Sequence, residues 1–337
     1  MSDYRDLPAT VRPAGVGLKR ADNTLDALIH PRSMAEIALN CAGFFVGLLI
    51  MTGDYVVVGR SLSQQSWEFL ASPKALVWII LVAGQFAFWA TIVEPLWSAQ
   101  SRLKCEYGLR LTREIRLKSA AAIIFFALPG YFLVRIVPDS NLAHHDLKMA
   151  IVNCTAMIVS LVAVAGIWYV RAALEARFAG TGSGERPVHS IQEGLKVVID
   201  LRGDLQWFIT LLGAMVALAT LAKGALRQAF LATGGNPAEF PSEFVLLQGA
   251  YFTGLMALVY IPTYTILAAV GADLVESAYP VTAPDLDWEN LSRWQGNRKS
   301  LEEILQLRSG AVDNLRASVS ILAPVATSVI TVLLGTK

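Results

Sequence analysis

The chain is 337 residues long, 54% hydrophobic and only 16% charged, with a mean hydropathy of +0.49, more apolar side chain than a soluble domain can hide. Its 28 Lys and Arg against 27 Asp and Glu leave a net charge of +1, so no global field points to a nucleic acid or an acidic substrate. Cys41, Cys105 and Cys154 stand far apart and define neither a disulfide framework nor a zinc site.

In chain order, residues 1–33 read as a cytosolic tail containing Pro8, Pro13 and Pro31, with no apolar core of signal-peptide length. A six-span bundle is expected over 34–284, with apolar stretches at 35–58, 75–97, 118–137, 149–171, 206–223 and 244–271. Each is near the length that crosses about 30 Å of hydrocarbon. The fifth is short, and Lys223 must snorkel from its end. Residues 285–316 follow as a cytosolic amphipathic helix, expected to run without a break into a final span at 317–337. The fold class is therefore all-α: a polytopic integral membrane protein of about seven transmembrane helices with cytosolic helical extensions.

Basic residues alternate along the chain: five in the tail, then two, six, two, five, two and five in successive connections, counting Arg135 with the third. Because Lys and Arg are retained on the cytosolic side, this pattern puts the N-terminus inside and the C-terminus outside, in what we read as a bacterial inner membrane. The cytosolic connections have helical character. Arg171–Phe178 continues the fourth span until the glycines of 180–184 break it, and a new helix starting near His189 carries Ile191, Leu195, Val198 and Ile199 on one face. Such faces are expected to bury one another in a juxtamembrane layer. The outer loops are short and polar.

The last span has the most informative pattern. Ala317, Ser320, Pro324, Thr327, Ser328 and Thr331 fall at helical spacing on one side, with Val319, Leu322, Val325, Val329, Ile330 and Leu333 on the rest. A small-polar stripe in lipid either packs on neighbouring helices or faces water. Ser320, Pro324, Thr327, Ser328 and Thr331 are thus candidate pore-lining residues. Glu94, followed by Pro95 near the cytosolic end of the second span, is a candidate for gating or ion coordination, against the plainer reading of an interfacial carboxylate. Arg102, Lys104, Arg110, Arg113 and Arg116 form a basic loop suited to an anionic ligand or to anionic lipid.

Other patterns carry less. His144 and His145 read as a solvated loop, and no histidine lies deep in a span, so no cofactor, haem or metal is expected. Asp273 lacks the second glycine and the partner motif of an intramembrane aspartyl protease, and Asp54 falls at the outer interface. Gly43 and Gly47, Gly213 and Ala217, and Ala250 and Gly254 are small-residue pairs that let helices approach closely. The hydroxyls of Tyr260, Thr263, Tyr264 and Thr265 around Pro262 either satisfy freed backbone or line a cavity. With no nucleophile–base pair or carboxylate pair at defensible spacing, the chain is expected not to be an enzyme. The expected function is an oligomeric channel or pore-type protein whose cytosolic helical layer is coupled to the last span. The alternative is a non-transporting scaffold or sensor that binds a cytosolic partner or anionic ligand through its juxtamembrane helices. Expected partners are the bilayer, further copies of the chain and a cytosolic protein, but not nucleic acid.

Overall fold

The structure, a computed structural model, describes residues 31–56, 64–109, 144–178, 191–280, 288–305, 307 and 315–334. These contain eight helices and no strand: α1 (Pro31–Val56), α2 (Gln64–Ala71), α3 (Pro73–Glu106), α4 (His145–Phe178), α5 (Ile191–Ala232), α6 (Ser242–Ala278), α7 (Trp288–Ile304) and α8 (Leu315–Leu334). The expected third span, the 180–184 hinge and residues 138–143 of the loop after that span lie outside the described residues. Two compact units divide the chain, Met1–Ala38 and Leu39–Lys337. Of the first, residues 31–38 are described, all helical, with Met34 and Ile37 exposed.

Five of the helices, α1 and α3 to α6, are long and apolar enough to cross a membrane, while the apolar part of α8, Val319–Val332, is shorter. Helices α3 and α4 have 34 residues each and α5 has 42. At about 1.5 Å per residue, 34 residues reach roughly 50 Å, well beyond the hydrocarbon thickness. Each of these long helices runs without a break from its apolar stretch into a charged extension. The fifth stretch, short by hydropathy, belongs to the longest helix, because nothing between Ile191 and Ala232 breaks it.

Specific contacts fix the direction of each helix. Within Leu39–Lys337, α1 runs antiparallel to α3: an added Cβ at Gly43 would lie 2.9 Å from Ala87 Cα, and at Gly47 2.7 Å from Ala83 Cα. Helices α3 and α4 run parallel, since Trp78 stacks near His145 at one end and Lys104 lies over the Tyr169 ring at the other. Helix α5 opposes α3 through Gln85, which donates to the Leu218 carbonyl, and through the Arg102–Asp204 ion pair. Helix α6 returns against α5 after a turn at Gly234, whose φ of 85° suits a residue without Cβ. The buried Phe240 closes that turn, its ring against Phe230 and its carbonyl bonded by Arg227.

We call the end of the bundle where α3, α4 and α6 finish and α5 begins the basal end. There Leu103, Val170, Leu174, Leu201 and Leu205 are buried and continue the core that surrounds Ile167 and Phe208 nearer mid-bundle. The face expected at the start of α5 is rotated. Gly194, Val198, Leu201 and Arg202 are buried, whereas Ile191 and Ile199 are exposed. Nor does the charged helix run unbroken into the last one. Helix α7 ends at Ile304, followed by a turn at Leu305 and a bend at Leu307, and α8 starts at Leu315. The pair His144–His145 is not simply a solvated loop: His145 is buried and opens α4, while His144 stays exposed with φ 55°.

Candidate functional site

The small-polar stripe of α8 lies against helices. An added Cβ at Gly213 of α5 would sit 2.5 Å from the Ser320 carbonyl oxygen, and one at Gly224 would overlap the Thr331 methyl group. Both contacts share one sequence offset, so α5 and α8 run parallel and in register. In that register the α5 row Gly213, Ala217, Thr220 and Gly224, spaced by three and four residues, falls opposite Ser320, Pro324, Thr327 and Thr331 with the same spacing. Two small seams of equal period let the backbones close to a distance that larger side chains forbid. On its other flank α8 meets Gly249 of α6, where an added Cβ would be 2.6 Å from Ser328 Oγ and 2.7 Å from the Pro324 carbonyl oxygen.

The hydroxyls of the stripe are engaged at short range. Ser320 Oγ donates to Thr210 Oγ1 at 3.3 Å. Ser328 Oγ and Thr331 Oγ1 donate to the carbonyls of Val325 and Thr327, each at 2.7 Å. Ser320, Pro324 and Ser328 are buried, Ser328 completely, while Thr327 and Thr331 are half-buried at the seam edge and Thr210 is exposed. The lipid-type residues Val319, Leu322, Val329 and Ile330 are exposed on the opposite side. Within one chain, therefore, the stripe is a packing face.

The other expected residues are dispersed. Glu94 is exposed on α3. Arg102 pairs with Asp204, and the Lys104 ammonium sits 4.7 Å from the Tyr169 ring centroid and 5.7 Å from that of Trp97. Both cations are thus held by their own chain, while Arg110, Arg113 and Arg116 lie outside the described residues. Asp273 is exposed, and the side chain of Asp54 lies outside the described residues. Among the described residues no three His, Cys, Asp or Glu side chains come together as a metal site.

Sequence reasoning missed a polar layer at the basal end. Arg177 pairs with Glu193 across α4 and α5. Arg298 of α7 reaches α6, bonding Glu276 at 3.0 Å and donating to the Tyr279 carbonyl, while Glu302 in its own helix holds it at 3.1 Å. The Trp294 ring meets the Tyr279 ring edge-on at 6.3 Å. Just past α3, burial together with the nearby carboxylates of Glu106, Asp200 and Asp204 pushes the Tyr107 hydroxyl up to about 12, with Arg102 opposing. Ion pairs thus tie α3 and α4 to α5, and α7 to α6, at the basal end. Gly271 of α6 packs against the side chain of Leu307, beyond the end of α7.

The described fold is an all-helical bundle with five helices of membrane-crossing length and composition, an eighth helix seated in the groove of two of them, and a charged helical layer at one end. No family model, curated protein or solved structure matches the chain.

Proposed function

We propose that the protein is a polytopic membrane sensor or scaffold of seven crossings, whose basal helical layer binds a cytosolic partner or an anionic ligand and relays that binding to the last helix. The observation that carries this reading is the register seating of the α8 stripe on α5 and Gly249 of α6. The helices that grip α8 also hold the basal layer, α5 through Arg102–Asp204 and Arg177–Glu193, α6 through Arg298. A seventh crossing between α3 and α4 is supported by their parallel course, which an intervening crossing accounts for. Described basic residues concentrate at the basal end, including Arg102, Lys104, Arg171, Arg177, Lys196 and Arg298. That supports a cytosolic basal end and N-terminus, in a bacterial inner membrane.

The relay is tested by cutting its first link. Arg298→Gln, which removes the charge that joins α7 to Glu276, is expected to raise hydrogen exchange in α7 and also at the start of α8. Exchange that rises in α7 alone contradicts the relay. The expected oligomeric channel is the second reading, favoured by the exposed Thr210 and the half-buried Thr327 and Thr331. A second copy docking along that seam edge would enclose a hydroxyl-lined path. Selective currents in reconstituted bilayers, altered by Thr327→Val, support the channel and count against the sensor.

A further inference from the structure

Arg202, on the basal part of α5, is 8% exposed, and its Nε and Nη2 have no hydrogen-bond partner. Other guanidinium groups of the basal layer are paired: Arg102 with Asp204, Arg171 with Glu175, Arg177 with Glu193, and Arg298 with Glu276 and Glu302. The ionisable groups that act on Arg202 are two tyrosines of α6, Tyr260 and Tyr264. This placement follows from the antiparallel course of α5 and α6. With Gly194 against the Leu274 side chain, Arg202 falls opposite the turn of α6 that follows Pro262.

That turn is rich in hydroxyls. The Tyr260 and Tyr264 rings stack at 5.5 Å and 16°. Thr263 lies between them on the buried side of α6, 1% exposed, and its Oγ1 also has no partner. Thr265, the fourth hydroxyl, is turned away and donates to the Pro262 carbonyl at 2.9 Å. A guanidinium removed from water without a counter-ion is strongly unfavourable, and a carboxylate or phosphate is the group that its planar fork fits in two-point contact. Hydroxyl donors beside the fork suit an anion with more than two oxygens.

We propose that Arg202, with the hydroxyls of Tyr260, Thr263 and Tyr264, forms a binding site for a phosphate group between the basal third of α5 and the middle of α6. The group comes either from a free phosphate-bearing solute or from an anionic lipid headgroup. The site deepens the sensor reading and rests on it for its role, but its existence rests on the cluster alone. It puts a ligand contact directly on the two helices that seat α8.

The test is thermal unfolding of the full chain in nanodiscs. In phosphatidylcholine, inorganic phosphate is expected to raise the Tm by on the order of 5 °C at saturation, while chloride at equal ionic strength does not. If the source is lipid, phosphatidylglycerol nanodiscs give that shift and free phosphate gives none. Either arm supports the site and identifies its source. Arg202→Gln is expected to abolish the shift, and the double variant Tyr260→Phe, Tyr264→Phe, which keeps the ring stack, to weaken the midpoint at least tenfold. No shift with either phosphate source overturns the proposal. So does a shift that survives in Arg202→Gln or, should that variant not fold, an unchanged midpoint in the tyrosine pair. A phosphate shift that leaves hydrogen exchange at the start of α8 unaltered keeps the site and removes the relay.

Discussion

At the scale of single residues, the contacts of α8 depend on what is missing from three positions. At Gly213 the obstructing atoms are the Ser320 backbone oxygen, carbon and Cα, whereas at Gly224 they belong to the Thr331 side chain. A threonine side chain can rotate; a helix backbone must shift as a whole. Gly213→Ala is therefore expected to destabilise the bundle by about 1–3 kcal/mol and Gly224→Ala by less, read from unfolding in detergent. Equal losses would contradict the register seating. Tyr107 gives a prediction with a defined sign. Its hydroxyl is pushed up to about 12, above its ordinary 10.0, by burial and by its acidic neighbours, so its neutral form is favoured in the folded state. The resulting stability is fully present below about pH 10 and is lost as pH rises through about 12. Tyr107→Phe should remove one late-titrating phenolate from the ultraviolet absorbance and make unfolding less steep in that window. A phenolate that already appears near pH 10 would show that the acidic cluster does not act on it.

At the scale of elements, the sequence makes visible what repeats along one helix but not what lies across from it. The α8 stripe, Ser320 to Thr331, is legible because its members recur at helical spacing. The matching seam on α5 has the same spacing, yet only Gly213 and Ala217 stand out in it, because nothing in one sequence says that α5 is the neighbour of α8. Ile191 and Ile199 appear as a buried face and are exposed. The apolar residues at the start of α5, Ile191, Leu195, Val197, Val198 and Ile199, run round most of the helix, so periodicity alone does not say which side a neighbour covers. Arg202 reads as one more loop charge for the same reason: its burial comes from the helix α6 packed across it. Of the small pairs, Gly43 and Gly47 are close contacts within the chain, while Ala250 and Gly254 face outward, with nothing near Gly254. Helix α7 is held differently, mainly by a half-buried ion-pair hub on Arg298 that joins it to Glu276 of α6. Arg298→Gln is accordingly expected to loosen α7 while hardly moving the global unfolding temperature, because the pair that reaches α6 ends on the exposed Glu276 and such partly solvated pairs contribute little. A large drop in Tm would mean that α7 is integral to the core.

For the whole molecule, the long continuous helices join an apolar bundle to a charged basal layer within the same described elements. The central claim is that the polar stripe of α8 faces protein and not water, which makes the last helix a seated, movable element instead of a pore wall. It is tested most directly by thiol labelling in a membrane. Cys105, exposed at the end of α3, is kept as an internal standard, and Cys41 and Cys154, also exposed, are replaced by Ser. Ser320→Cys and Ser328→Cys are then introduced singly and treated with a small water-soluble methanethiosulfonate. The account predicts that Cys105 alone is labelled in both variants. Labelling of position 320 or 328 at a rate comparable to Cys105 would contradict it and place water along that face.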